Sequence, residues 1–203
     1  MNAGPLPEGF RLLPGYFDRA GQEVLVAAIR EVVAAAPLFT PVMPRTGRPF
    51  SVRMSNCGPL GWVSDREGYR YQAHHPATGR PWPPMPGQLQ ALWAALAPDQ
   101  APAQACLINY YPPGARMGLH QDRDERDFSA PVVSVSLGAT ALFRLGGTTR
   151  KAPTRSFRLS SGDVMVLGGE ARLAFHGVDR ILPGTSTLVK DDGRINLTLR
   201  RVD

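Results

Sequence analysis

The second half of the chain constrains the fold most strongly, because it consists of short β-like runs with turn residues between them. From residue 105 onward the candidate strands are ACLINYY, PVVSVSL, ALFRL, RSFRL, DVMVL and RINLTLRR. Clusters of Gly, Pro and Ser separate them. Short strands at such close spacing are typical of a sandwich or jelly roll. The sequence therefore predicts a mainly β core over residues 105–203.

The first half contains two predicted helices. Apolar residues recur at helical spacing between Asp18 and Ala36, and Asp18 is the expected N-cap. The same spacing predicts a second helix from Pro86 to Ala97. Between the helices, a stretch rich in arginine and aromatic residues is broken by Gly and Pro, which predicts short strands and loops. We expect residues 1–104 to pack on the β core within one structural domain.

The charge of the chain favours an anionic partner. Its net charge is +6 and its isoelectric point is about 9.9, which is typical of proteins that bind nucleic acid. However, 21 of the 23 basic residues are arginine. A GC-rich coding bias could produce that skew without any partner, so both explanations stay open.

Cysteine usage and hydropathy predict a cytoplasmic protein that is not bound to a membrane. Cys57 and Cys106 have no CxxC spacing and are too few for a disulfide framework. The N-terminus MNAGPLPEGF lacks the pattern of a signal peptide. The most apolar stretch, residues 24–37, carries Arg30 and Glu31 and therefore does not suit a membrane span.

The motif LHQDRDE raises the question of a metal site. His120 and Asp122 would point to the same face of an extended strand, where they could bind a divalent metal. Such a pair is also common in solvated turns. His74 and His75 are adjacent and would point apart on a strand, which leaves His176 as the natural third ligand. An ordinary core or surface histidine is the alternative at that position.

The last predicted strand carries a second signal. Its four polar residues on one face are Arg194, Asn196, Thr198 and Arg200. Arginines on a strand whose opposite face is apolar are costly unless each finds an anion. A dicarboxylate co-substrate offers two anionic groups, and the guanidinium fork suits carboxylates. Asn109 and Tyr111 share a face of the strand that leads into the HxD motif.

Several collinear runs give the chain a resemblance to a known family. The runs ACLINYYPPGARMGLHQDRDE, APVVSVSLGATALFRLGG, SGDVMVLGGEARLAFHGV and RINLTLR, together with SNCGPLGWVSDREGYRYQ, resemble the AlkB family of DNA-repair dioxygenases. The similarity extends from about Ser51 to the C-terminus. It implies a double-stranded β-helix, or jelly roll, with N-terminal helices and a nucleotide-recognition lid. It also implies that His120, Asp122 and His176 bind Fe(II).

The resemblance further implies two co-substrates, 2-oxoglutarate and dioxygen. Arg194 would bind the distal carboxylate of 2-oxoglutarate, assisted by Asn196 and Tyr111. Arg200 and Asn109 would lie toward its iron-chelating end. Decarboxylation would yield succinate and CO2, and an N-alkyl group on a nucleobase would be oxidised and released as formaldehyde.

Five residues are expected to contact the substrate by the same resemblance. Trp62 would stack on the base, and Tyr69 and Tyr71 would contact the base or a phosphate. Alternatively, these aromatic residues pack the lid onto the core. Asp124 would favour cationic lesions such as 1-methyladenine and 3-methylcytosine, unless it pairs with a neighbouring arginine. Arg150 would contact the nucleic acid.

One part of the chain departs from the family pattern. Leu167 and Ala174 stand where bulkier aromatic residues are expected, and Ala171 lies between them. These residues predict a looser cavity wall near the metal, with the ligands unchanged.

The predicted function is therefore a monomeric Fe(II)- and 2-oxoglutarate-dependent dioxygenase that repairs alkylated single- or double-stranded DNA, with RNA as a further possible substrate. One alternative is the same chemistry on RNA, a protein or a small molecule. Another is a non-catalytic nucleic-acid-binding module that retains the fold.

Overall fold

The computed structural model describes residues 6–203, which form two facing antiparallel sheets, two helices and a short hairpin. The first five residues lie outside the described residues; the prediction of no signal peptide and the start of the predicted 1–104 region fall partly on them. In chain order, the strands are β1 (Phe10–Leu13), β2 (Arg53–Cys57), β3 (Gly61–Asp65), β4 (Gly68–Gln72), β5 (Ala105–Tyr111), β6 (Met117–His120), β7 (Val132–Gly138), β8 (Thr140–Leu145), β9 (Arg155–Leu159), β10 (Val164–Leu167), β11 (His176–Leu182) and β12 (Arg194–Arg200).

The strands form a jelly-roll sandwich. The large sheet has the order β1-β10-β7-β12-β5-β2, and the small sheet has the order β6-β11-β8-β9. The hairpin β3–β4 stands apart as a third, two-stranded sheet. The mainly β jelly-roll fold predicted from the sequence is confirmed.

Two α-helices cover the outer face of the large sheet. They are α1 (Arg19–Ala35) and α2 (Gly87–Leu96), and both bounds agree with the sequence prediction to within about one residue. The side chain of Asp18 accepts a hydrogen bond from the Gly21 amide at 2.8 Å, so it is the N-cap. The buried faces of both helices join one apolar cluster with the outward side chains of the large sheet. No helix within residues 6–203 is long and apolar enough to cross a membrane.

Apolar and polar side chains alternate along β12, so they lie on opposite faces of the large sheet. Leu197 and Leu199 face the helices, whereas Arg194 and Arg200 lie on the opposite face. The arginines are 1% and 6% exposed, respectively. The predicted alternation therefore places two buried cations between the sheets.

Four strands of the sandwich, β1, β2, β6 and β11, have no counterpart among the six predicted runs. β2 lies in the stretch where short strands were predicted and β6 next to the HxD motif, whereas no pattern predicted β1 or β11. The edge strand β1 has only four residues and no alternation, and its pairing with β10 defines it. In β11, the exposed residues Asp179 and Arg180 lie at a break in the strand register, so the apolar alternation fails. The predicted division at residue 104 stays a prediction, although β1 and β2, from the N-terminal part, pair with β10 and β5.

The close approach of β6 and β11 positions two histidines. A Cβ atom on Gly177 would lie 2.5 Å from the carbonyl oxygen of Met117 and 2.9 Å from that of Gly118. Only a residue without a side chain lets the strands pair at this distance. The pairing sets His120 directly opposite His176.

Replacing Gly177 by alanine is expected to destabilise the protein by roughly 1–3 kcal/mol, because the added methyl group must push β6 away. Urea unfolding monitored by circular dichroism measures this change. Gly118→Ala is the matched control, since a Cβ atom there meets nothing within 4 Å. Equal losses in the two variants would contradict the interpretation.

Candidate metal and co-substrate site

A cavity of about 730 Å³ opens between the two sheets. Side chains of the large sheet, the small sheet and the β3–β4 hairpin all line it. Apolar residues such as Leu107, Phe143 and Met165 form much of the wall, and buried polar residues are grouped among them. This combination is typical of a small-molecule site.

Three potential metal ligands meet in this cavity. His120 ends β6, His176 begins β11 and Asp122 lies two residues after His120, in irregular structure. Their ligand atoms all lie within 4.8 Å of one another. Each histidine Nε2 atom is 3.8 Å from an oxygen of the Asp122 carboxylate. The sequence analysis considered an extended strand through Asp122, whereas β6 ends at His120. The side chains of His120, Asp122 and His176 nevertheless converge.

The hydrogen bonds of the two histidines suit metal binding. The Nδ1 atom of His120 is 2.9 Å from the carbonyl oxygen of Gly118, and that of His176 is 2.9 Å from the carbonyl oxygen of Ala174. A carbonyl oxygen can only accept, so this pattern assigns the imidazole proton to Nδ1 in both rings. The Nε2 lone pairs are then available on the side of Asp122. Carbonyl support of this kind is common behind metal-binding histidines.

The electrostatics of the cavity hold Asp122 and His176 in the protonation states that a metal requires. Burial opposes ionisation of Asp122, but Arg200 and both histidines outweigh it and keep its pKa below the ordinary value. Burial and the neighbouring His120 lower the pKa of His176 to about 4. At neutral pH the cavity therefore presents a carboxylate and a neutral imidazole.

Arg200 lies beside the carboxylate of the group. Its Nη2 atom is 2.9 Å from Asp122 Oδ2. Its Nε atom is 3.3 Å from Glu125 Oε1, but this second contact does not have the geometry of a hydrogen bond. Burial opposes its charge, but Asp122, Tyr71 and Glu125 outweigh it and raise its pKa above the ordinary value. Its Nη1 atom is buried and has no hydrogen-bond partner within residues 6–203.

Arg194 lies deeper and has no carboxylate within 4 Å among the described residues. It donates to the carbonyl oxygens of Ala139 and Leu159, both at 3.1 Å, and to Ser136 Oγ at 2.7 Å. Burial lowers its pKa to about 10. Its Nε atom is buried and, like the Nη1 atom of Arg200, has no hydrogen-bond partner in the part of the chain that the structure describes. These two unpaired donors fit an anion with carboxylates at both ends, such as 2-oxoglutarate.

The other residues predicted to bind the co-substrate lie in the same cavity. The Oδ1 atom of Asn109 is buried and accepts no hydrogen bond from any described residue. Burial raises the pKa of Tyr111 to about 12, which keeps its hydroxyl group protonated and able to donate. The side-chain amide of Asn196 already has protein partners, because it donates to Ser134 Oγ at 2.7 Å and accepts from the Thr198 hydroxyl group at 3.0 Å.

The hairpin β3–β4 places an aromatic face at the cavity mouth. Trp62 and Tyr69 stack with ring centroids 5.6 Å apart, and Tyr69 is 50% exposed. The indole Nε1 of Trp62 donates to Asp124 Oδ2 at 2.7 Å. Asp124 is therefore hydrogen-bonded to Trp62 of the hairpin, whereas the sequence analysis also considered pairing with a neighbouring arginine.

The remaining two residues predicted to contact the substrate already have protein partners. The hydroxyl group of Tyr71 donates to Glu125, although its ring lines the cavity. Arg150 donates to the carbonyl oxygen of Leu119 at 3.2 Å and lies over the ring of Phe175 at 5.9 Å, at the rim.

Sequence reasoning missed two buried charges beside the metal ligands. Glu125 ends the motif LHQDRDE, and Arg172 lies in GGEARLAFH, but nothing in either pattern marks them as buried. Their side chains form an ion pair at 3.0 Å.

The residues that depart from the family pattern lie in different places. Leu167 lines the cavity, as expected for a residue that shapes its wall. Ala171 and Ala174 are fully buried in the apolar cluster and do not line it. Of these three residues, only Leu167 is therefore in a position to change the shape of the cavity wall directly.

Comparisons with known proteins agree with this geometry. The family model of the 2OG-Fe(II) oxygenase superfamily matches residues 9–200. The chain belongs to this family. It is 58% identical to the alpha-ketoglutarate-dependent dioxygenase AlkB homolog of Caulobacter vibrioides over 203 residues, covering 99% of this chain and 92% of the relative. It is 44% identical to alpha-ketoglutarate-dependent dioxygenase AlkB of Escherichia coli, covering 97% of this chain and 92% of the relative.

More distant relatives share the fold or part of the chain. The solved structure of OsALKBH1 superposes with a TM-score of 0.81 at 29% identity, covering 98% of this chain and 100% of that one. Nucleic acid dioxygenase ALKBH1 of Homo sapiens is 36% identical over 129 residues, or 61% of this chain and 31% of that protein. The protein is thus an AlkB-family dioxygenase that uses Fe(II), 2-oxoglutarate and dioxygen.

The stability of the metal-free dioxygenase is expected to fall as the pH drops from 6.5 to about 4. His176 has a folded-state pKa of about 4, below the ordinary 6.5, so the unfolded chain takes up this proton first. The stability is intact above pH 6.5, and the loss reaches roughly 3 kcal/mol near pH 4. The lowered pKa of Asp122 acts in the same direction, but only below pH 3.8.

Urea unfolding of the chelator-treated protein at pH 7, 5.5 and 4 measures this dependence. The variant His176→Gln is the control that removes the titrating group. Its pH dependence is expected to be flatter than that of the wild type over this range, and identical slopes would contradict the assignment.

Proposed function

We propose that this dioxygenase removes N-alkyl groups from bases of single- or double-stranded DNA by oxidation, with 1-methyladenine and 3-methylcytosine as preferred lesions. The observation that carries the proposal is the hydrogen-bonded pair of Trp62 and Asp124 at the mouth of the metal cavity. An aromatic face beside a carboxylate suits a flat, cationic base. The net charge of +6 and the similarity to human ALKBH1, a nucleic acid dioxygenase, support the same substrate class.

His120, Asp122 and His176 would hold the iron in this proposal. Two imidazoles and one carboxylate are the donor set typical of non-haem Fe(II) oxygenases, so this group would suit Fe(II). When bound, iron supplies the redox chemistry that oxidises 2-oxoglutarate to succinate and CO2 and inserts oxygen into the N-alkyl group. The resulting hydroxyalkyl group leaves the base as an aldehyde, which is formaldehyde for a methyl lesion.

The unpaired donors of the cavity would bind 2-oxoglutarate. Arg194 Nε lies in the deeper part and would meet the distal carboxylate, with the Tyr111 hydroxyl group as a second donor. Arg200 Nη1, close to Asp122, would meet the carboxylate at the iron-chelating end. Asn109 lies on the same wall. Asn196 would act by fixing its neighbours, because its amide is already paired.

The cavity mouth would receive the base once it leaves the stack. Trp62 offers its ring, and Tyr69 extends the aromatic surface toward solvent. The Oδ2 atom of Asp124 accepts the hydrogen bond from Trp62. Its Oδ1 atom has no hydrogen-bond partner among the described residues, so Oδ1 can accept from the exocyclic amine of the lesion. Arg150 at the rim would contact a phosphate. The role of Tyr71 would be limited to its ring, since its hydroxyl group is paired.

RNA is the second candidate substrate, because the name of the ALKBH1 relative covers both nucleic acids. We also propose that the enzyme acts as a monomer in the cytoplasm. Both cysteines are free and buried, which supports a reducing compartment.

The reaction is tested by mass spectrometry of a single-stranded oligonucleotide with one 3-methylcytosine, incubated with enzyme, Fe(II) and 2-oxoglutarate. We expect the loss of one methyl group, dependent on both additions. An equivalent RNA oligonucleotide compares the two substrates. Succinate formation without any loss of methyl groups would contradict the proposed substrate class while supporting the metal chemistry.

Replacing Asp122 and replacing Asp124 are expected to have different effects on metal binding and turnover. Asp122→Ala should abolish turnover and metal binding, because it removes the only anionic ligand. Asp124→Ala should leave metal binding intact and lower kcat/KM for 3-methylcytosine by about tenfold or more, because the cation loses a charged partner. Isothermal titration with Mn(II) and steady-state kinetics separate the two effects. Equal loss of metal in both variants would show that Asp124 is misassigned.

A further inference from the structure

The loop between β6 and β7 carries both carboxylates of the proposed site, but it has no regular secondary structure. Asp122 and Asp124 lie within residues 121–131, where the chain forms neither strand nor helix. Among the described residues, it makes one backbone–backbone hydrogen bond to another segment, from the amide of Arg126 to the carbonyl oxygen of Val202 at 2.8 Å. A ligand carboxylate must nevertheless be held closely for metal binding. Side chains from other segments must therefore fix this loop.

Arg172 contacts the loop at both of its ends. Its Nη1 atom donates to the carbonyl oxygen of Asp122 at 2.7 Å, and its Nε atom donates to that of Ala130 at 2.9 Å. Its Nη2 atom donates to the carboxylate of Glu125 at 3.0 Å, and its guanidinium lies over the ring of Phe128 at 5.3 Å. Three nitrogen atoms of one guanidinium thus bind three points of the loop. Lysine, with one nitrogen atom, could not reproduce this planar arrangement.

The position of Arg172 in the chain links the loop to the other metal ligands. It lies in the 3-10 helix Gly169–Leu173, which precedes His176 by a few residues. The contact to the carbonyl group of Asp122 therefore joins the segment of one proposed ligand to the segment of another. Arg172 is only 2% exposed, so solvent does not compete for its hydrogen bonds.

Glu125 extends this arrangement to the recognition hairpin. One of its oxygen atoms accepts from Arg172, and the other accepts from the hydroxyl group of Tyr71 in β4. The hairpin has a second contact with the loop through Trp62 and Asp124. The same loop is therefore tied to the metal-ligand segment on one side and to the base-recognition hairpin on the other.

We propose that Arg172 is a positioning residue that fixes the Asp122 loop for metal binding, and that Glu125 and Tyr71 couple this loop to the hairpin that receives the base. This inference rests on the proposed role of Asp122 as a metal ligand. Arg172 touches neither substrate nor metal; it acts through the loop. The coupling makes the alignment of the base dependent on the same ion pair that orders the metal ligand.

The first test is the affinity of the chelator-treated protein for Mn(II), measured by isothermal titration. Arg172→Lys keeps the charge and is expected to weaken Mn(II) binding about 10–100-fold, because the loop loses its hold on the Asp122 carbonyl group. Arg126→Lys is the matched control from the same loop, since its side chain is 86% exposed, and it should stay within about twofold of the wild type. A folded Arg172→Lys variant with wild-type affinity would overturn the proposal.

A second variant covers the case in which Arg172→Lys fails to fold, as judged by circular dichroism. Glu125→Gln keeps the shape of the side chain and removes the charge that holds Arg172. It is expected to weaken Mn(II) binding in the same direction, and unchanged binding in the folded variant would again overturn the proposal. Asp122→Ala serves as the reference for the loss of a ligand. If it retained full affinity, the ligand assignment itself would be wrong.

Tyr71→Phe tests the coupling to the hairpin, because it removes only the hydroxyl group. Its Mn(II) affinity should stay within about twofold of the wild type, since the contacts of Arg172 remain. The KM for the methylated oligonucleotide and the succinate formed per methyl group removed should both rise, with kcat less affected. Unchanged values would overturn the coupling. The Mn(II) titrations need no nucleic acid, so they stand even if the proposed substrate is wrong.

Discussion

The burial of opposite charges in and beside the cavity is the constraint on which the rest of the structure depends. Arg200 and Asp122 meet at 2.9 Å, and Arg172 and Glu125 meet at 3.0 Å, in places where solvent is almost absent. Removing such charges from water is expensive, and only matched partners with further hydrogen bonds offset the cost. The helices therefore cover the outer face of the large sheet, where the side chains are apolar, and leave its inner face to the polar site.

These charges also explain why the cavity suits its co-substrates. Residues 6–203 provide partners for some of the nitrogen atoms of Arg194 and Arg200 but none for Nε of Arg194 or Nη1 of Arg200. Buried donors rarely stay unpaired in a protein unless a ligand pairs with them. The imidazole groups are likewise fixed by backbone carbonyl groups and present their second nitrogen atoms to Asp122. The site is thus arranged before its ligands arrive, which reduces the cost of binding them.

Much of the fold and of the site follows from patterns that are local in the sequence. The alternation of β12 placed two arginines on an inner face, and the helical spacing with the Asp18 cap placed α1 to within one residue. The family resemblance identified the histidine and aspartate group, which the structure brings together.

The remaining features depend on contacts between distant segments. Trp62 and Asp124 are separated by 62 residues and Glu125 and Arg172 by 47, so no local spacing rule predicts that they meet. The short edge strand β1 exists because it pairs with β10, and the alternation of β11 is broken where its register shifts. In both cases tertiary packing decides the local structure.

The central claim, that one cavity holds the metal through His120, Asp122 and His176 beside a dicarboxylate bound by Arg194, is tested most directly by crystallography. Crystals grown with Mn(II) and 2-oxoglutarate, measured near the manganese absorption edge, locate the metal by its anomalous scattering. The account predicts a single strong peak bonded to both Nε2 atoms and the Asp122 carboxylate, with a 2-oxoglutarate carboxylate against the Arg194 Nε atom. A peak at another place, or 2-oxoglutarate with neither carboxylate near that atom, would contradict it.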